Sequence, residues 1–143
     1  MRILHAIMAA VVSTGAQAAT ISETCKQDIS QRSYTVAGHP IPLQHISGTV
    51  AYTLNFDEPS VTVISNNRTT IFRNGSGQHI VVDQDDMTIA STTAMPSSGP
   101  VTSQIIRFSK DGSRGSGERQ MWLHGHLLQK ADTKMVCTRD AIG

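Results

Sequence analysis

From Thr49 onward the chain alternates between apolar and polar residues with a period of two. In "TVAYTLNF", Val50, Tyr52, Leu54 and Phe56 fall on one face and Thr49, Ala51, Thr53 and Asn55 on the other, the pattern of a strand buried on one side. "SVTVIS" and "TTIFR" follow as further strands. Asn66-Asn67 between them predicts a tight hairpin, because asparagine tolerates positive φ. "NGSG", Asn74 to Gly77, predicts the next turn, leading into "QHIVVD" and, past the acidic "DQDD", into "MTIAST". "MPSSGP", Met95 to Pro100, is a loop by composition. "VTSQIIRFSK" and "ERQMWLHGHLLQ" flank "DGSRGSG", which predicts a long hairpin with a mobile, exposed tip over Asp111 to Glu118. "TKMVCT" is the last strand. Between Ile29 and Ile46 the pattern weakens: "SYTVA" fits a short strand, whereas the two prolines of "GHPIPLQHI" point to a loop or an edge.

About eight strands at short, regular spacing, with no long helical period, predict an all-β domain built as a single antiparallel meander. A small β-barrel is the expected architecture, with a β-sandwich as the alternative. The N-terminus does not belong to this domain. "MRILHAIMAAVVSTGAQA" has one charged residue, Arg2, then an apolar run broken only by His5, then small residues ending in Ala16-Gln17-Ala18. That order is a secretory signal with cleavage after Ala18, and its apolar run of about ten residues is too short for a spanning helix. Residues 1–18 are therefore read as a signal peptide and 19–143 as one all-β domain, exported to the periplasm or secreted, with no membrane anchor once cleaved.

Loss of Arg2 leaves 11 basic against 11 acidic residues. A neutral chain with scattered charge lacks the clustered Lys and Arg that nucleic acid requires. The two cysteines, Cys25 and Cys137, have no CxxC spacing. In an oxidising compartment such a pair predicts a disulfide, here joining the two ends of the domain.

Candidate chemistry is sparse. "QMWLHGHLLQ" places His124 and His126 two residues apart. On one strand both side chains would leave the same face about 6.6 Å apart, a spacing that lets two imidazoles share an ion. Zinc wants three or four protein ligands, however, and nothing in the sequence places a third beside them. The expected reading is two strand histidines without a metal. Asp83, Asp85 and Asp86 lack the offsets and the glycine of a calcium loop and read as a solvated turn. "GSRGSG" is followed by a strand rather than the helix a phosphate loop needs. No serine lies in a nucleophile elbow, so no catalytic set and no cofactor are implied. Asn67 and Asn74 head "NRT" and "NGS", which fit the glycosylation pattern.

The plan of signal peptide, small all-β domain and terminal cysteine pair is similar to several groups of exported β-barrel proteins, including bacterial lysozyme inhibitors. The similarity is one of plan and transfers no residue role. Three functions fit this plan. The first is a non-enzymatic binding or inhibitory module that meets another exported protein or an envelope component through its hairpin loop, with Asp111, Arg114, Glu118 and Arg119 as the contact residues. The second is a carrier of a small ligand inside a barrel. The third is a metal-binding protein built on His124 and His126.

Overall fold

The computed structural model describes residues 20–94 and 99–142. The expected signal peptide and most of the Met95–Pro100 loop lie outside them. Nine strands form one antiparallel sheet, and the described residues contain no helix. They are β1 (Thr20–Ser33), β2 (Gln44–Asn55), β3 (Ser60–Ser65), β4 (Arg68–Arg73), β5 (Gln78–Asp83), β6 (Thr88–Ala94), β7 (Val101–Phe108), β8 (Arg114–Leu123) and β9 (His126–Ile142). Among the described residues no helix is long and apolar enough to cross a membrane.

The pairing order is β4-β3-β2-β1-β9-β8-β7-β6-β5. Every strand therefore lies beside its neighbours in sequence except at one place, and the first and last strands lie beside each other. β1 pairs with β9 along its whole length, from Thr20 opposite Ile142 to Ser33 opposite Gln129. Cys25 and Cys137 are direct partners in this register and form the disulfide. β4 and β5 are the two edge strands of this order and touch without strand pairing. Side chains cover part of that seam. The Arg73 amide donates to Gln78 Oε1 at 3.2 Å and the Ile80 amide to Asn74 Oδ1 at 2.8 Å. The Asn74 side chain is thus spent on the fold.

Turn chemistry explains two of the reversals. Asn66 and Asn67 both have positive φ (52° and 62°) and join β3 to β4 as a two-residue turn, the mirror-image type that suits the twist of a hairpin. His124 and Gly125 (49° and 81°) do the same between β8 and β9.

The inner face holds the expected alternation. Val50, Tyr52 and Leu54 of β2 are buried with Val61, Ile80, Ile89, Ile106, Phe108 and Met135. Tyr52 and Phe108 meet edge to face with centroids 5.5 Å apart, a favourable aromatic geometry. Nine strands replace the expected eight because β1 shows no apolar alternation. Its inward positions include Glu23, Cys25, Gln27 and Gln31, each aligned across the register with an inward residue of β9. A strand whose buried side carries a carboxyl, a cysteine and two amides does not look half-buried in sequence.

Candidate functional site

The histidine pair is not a pair of strand residues on one face. His124 is the first residue of the β8–β9 turn, His126 is the first residue of β9, and both are exposed. The positive φ of His124 and Gly125 reverses the chain between the two imidazoles, so the period-two spacing expected of them does not apply. Among the described residues the one group of three possible ligating side chains within 4.8 Å of one another is Glu23, Cys25 and Cys137. Its two sulfurs are bonded to each other.

The tip expected over Asp111–Glu118 is shorter than that span, although Asp111, Ser113, Arg114, Ser116 and Glu118 are exposed. The reversal occupies only the residues between Phe108 and Arg114, and Arg114 to Glu118 already belong to β8. Asp111 Oδ1 accepts from Ser109 Oγ at 2.7 Å, from the Ser113 amide at 3.0 Å and from Ser113 Oγ at 2.8 Å. The Ser113 amide bond, followed by the two hydroxyl bonds, holds the Asp111 carboxyl down at about 2. Ser113 in turn offers its carbonyl to the Cys137 amide at 2.8 Å.

The remaining order comes from Arg139 of β9. Its Nε is ion-paired to Glu23 Oε1, Nη1 donates to the Lys110 carbonyl at 2.6 Å and Nη2 to the Ser109 carbonyl at 2.8 Å. One guanidinium thus ties β1, β9 and the 109–113 turn together beside the disulfide. Gly112, with φ of 75°, lies against it, and a Cβ there would come 2.5 Å from Arg139 Cβ. Glu23 is fully buried and its Oε2 has no hydrogen-bond partner. Burial pushes the Glu23 carboxyl up. Its bond and attraction to Arg139 oppose this, and nearby Asp111 adds to it.

The four residues expected to form a contact loop are not brought together. Asp111 is committed to its own turn, Arg114 is exposed at the start of β8, and Glu118 is exposed further along that strand. Arg119 points the other way, into the interior, where it lines a cavity of about 210 Å³. All nine strands contribute to that cavity. Val50, Val61, Phe72, Ile80, Ile89 and Ile106 give it an apolar wall, and Gln27, Gln104 and Arg119 are among its polar residues. Gln104, Arg119, Ala131 and Gln31 are successive partners across β7, β8, β9 and β1, so they form one inward row. In that row Arg119 Nη2 donates to Gln31 Oε1 at 3.1 Å, and also to Gln129 Oε1 at 3.0 Å. Its Nε is sealed from solvent with no partner. Tyr52 lines the same cavity, and burial pushes its phenol up to about 12 although Arg119 pulls it back.

The glycines at 112, 115 and 117 give the sequence leading to Arg119 the look of one flexible segment. Two of these are strand positions, and Gly115 makes room. A Cβ on Gly115 would come 2.8 Å from Met135 Cε and 3.1 Å from the Phe108 ring. The usable signal was parity: Gly115, Gly117 and Arg119 continue one face of a strand that begins at Arg114. No protein-family model matches the chain, and no characterised protein matches it in sequence.

Proposed function

We propose that the protein is an exported, non-enzymatic binding protein that holds a small molecule inside its curled sheet. The observation that carries this reading is the cavity itself, about 210 Å³ in volume and lined from every strand. Interiors of this kind are normally filled by side chains at close-packed density, and a cavity with an apolar wall and a few converging polar groups is the usual form of a small-molecule site. The expected hairpin paratope has less support, since Arg119 is turned inward, Asp111 is tied up in its own turn, and Arg114 and Glu118 are spread along a strand. The disulfide fits an oxidising compartment, and with the N-terminal signal it supports export.

Methyl NMR during titration with benzyl alcohol tests this function. Val61, Ile80 and Ile106 are expected to shift together and saturably, while exposed Val36 and Val136 stay in place. Unchanged interior methyls at millimolar probe would overturn it. Native mass spectrometry of protein purified from its own host then weighs any occupant retained. A second reading, contact with another exported protein or an envelope component, draws on the loop between β1 and β2, where Val36 (78 %), Ile41 (39 %) and Leu43 (45 %) are exposed. Changing these three to serine and comparing pull-downs from envelope extract is its test.

A further inference from the structure

We propose that Arg119 is the anchor for the carboxylate of a small organic acid whose apolar body lies against the Val61 and Ile106 wall of the cavity. This rests on the interior-binding function above and adds the chemical class of the ligand.

Arg119 is half-buried, and a guanidinium withdrawn from water is costly unless its charge is met. Among the described residues the one ion pair is Glu23–Arg139, so Arg119 has no carboxylate. Glu118, adjacent in sequence, is exposed and forms no ion pair with it. Gln31 and Gln129 are neutral acceptors that fix the orientation of Nη2 without cancelling its charge. Tyr52 does not serve as counter-ion either, because its phenol stays protonated at neutral pH. Arginine has five N–H donors in a rigid fork. Here both observed bonds leave from Nη2; Nε is enclosed without a partner, so the edge of the fork that a ligand can meet is the one formed by Nη1 and Nη2. The unmet requirement is an anion with oxygens that accept in a plane, and a carboxylate matches that fork.

The size and lining of the cavity restrict the rest of the molecule. A cavity of about 150 Å³ lined by aliphatic and aromatic residues suffices for benzene. The present one, at about 210 Å³, has room for a ring or a short branched chain together with one carboxylate. Its apolar wall disfavours a bare inorganic oxyanion, which would leave that surface without contacts.

Benzoate and benzamide share shape and differ in charge, so the pair isolates the guanidinium. With wild-type protein at constant ionic strength, calorimetry should give benzoate at least about tenfold tighter binding than benzamide, the effect of one charge-assisted bidentate contact. Arg119→Gln should bring the two to within about threefold by weakening benzoate and leaving benzamide unchanged. Arg119→Lys, which keeps the charge but not the fork, should fall between them and serves if the Gln variant does not fold. Equal binding of the two probes to wild type, or a preference that survives Arg119→Gln, would overturn the anchor while leaving interior binding intact. Silence from both probes, together with unshifted methyls on benzyl alcohol, would remove the interior-binding function and this proposal with it.

Discussion

The Glu23 carboxyl is enclosed between β1 and β9 with one oxygen on Arg139 and the other unpartnered. Removing one member of a buried ion pair strands the other charge and costs about 3–5 kcal/mol, so Glu23→Ala should destabilise the domain by that amount in urea unfolding. Glu23→Gln, which keeps an acceptor for Arg139, should cost less. The two carboxyls near Arg139 respond to pH in opposite senses. The folded pKa of Glu23 is raised, so its contribution is fully present below its unfolded value and is lost as pH rises through the folded one. The folded pKa of Asp111 is lowered from 3.8 to about 2, so its contribution is present above pH 3.8 and is lost as pH falls towards 2. Unfolding curves between about pH 2 and pH 8 should therefore show a steeper acid loss in Glu23→Gln than in wild type, and a flatter one in Asp111→Asn. Parallel pH profiles for all three proteins would contradict the two environments described for these carboxyls.

At the level of elements, the 109–113 turn and β8 behave as built structure rather than loop. Gly112→Ala meets two obstacles, a positive φ and the side chain of Arg139 at 2.5 Å, and should cost more than Gly115→Ala. In the latter the nearest atom, Met135 Cε at 2.8 Å, is the end of a flexible side chain. Gly115→Val overpacks the same spot and should cost about 1–3 kcal/mol. At the other end of β8, His124→Asn produces an Asn-Gly turn of the preferred type and should leave stability unchanged or slightly improved. Changing His124 and His126 together to Gln should leave the fold intact, and elemental analysis of dialysed, untagged protein is expected to find no stoichiometric zinc or copper. A metal lost in that double variant would reverse this reading. The contrast between these turns shows what was legible. Asn66-Asn67 declares its geometry through its own residue types. His-Gly does so only by backbone conformation, and the 109–113 turn depends on Arg139, distant in sequence. β2 to β9 were visible because their buried faces are apolar, although the turn that separates β8 from β9 was read as continuous strand. β1 was not, because its inward side is largely polar: Glu23 meets Arg139 and Cys25 meets Cys137 on β9, and Gln31 accepts from Arg119 on β8.

On the scale of the whole molecule, the strand order follows from pairing the two ends of the chain, and the cysteines were the one sequence feature that announced it. The seam between β4 and β5 and the uncompensated cation in the interior had no such signal, since both depend on which strands meet. The disulfide and the β1–β9 pairing are separable contributions. The bond spans 112 residues of sequence, and a cross-link over a loop of about 100 residues removes on the order of 4–5 kcal/mol of unfolded-chain entropy, with measured losses commonly 2–5. It sits within a pairing that runs the full length of β1, whose backbone bonds do not require it. Replacing both cysteines with alanine should therefore lower stability within that range and leave the far-UV dichroism of a nine-stranded sheet in place. On the proposed export the wild-type protein should begin at Ala19, and it should take up no alkylating agent until reduced; intact mass reads both directly. If the double variant instead lost its sheet signal, the bond would be holding the chain ends together against a weak pairing, and β1 would be a strand only because Cys25 is tethered.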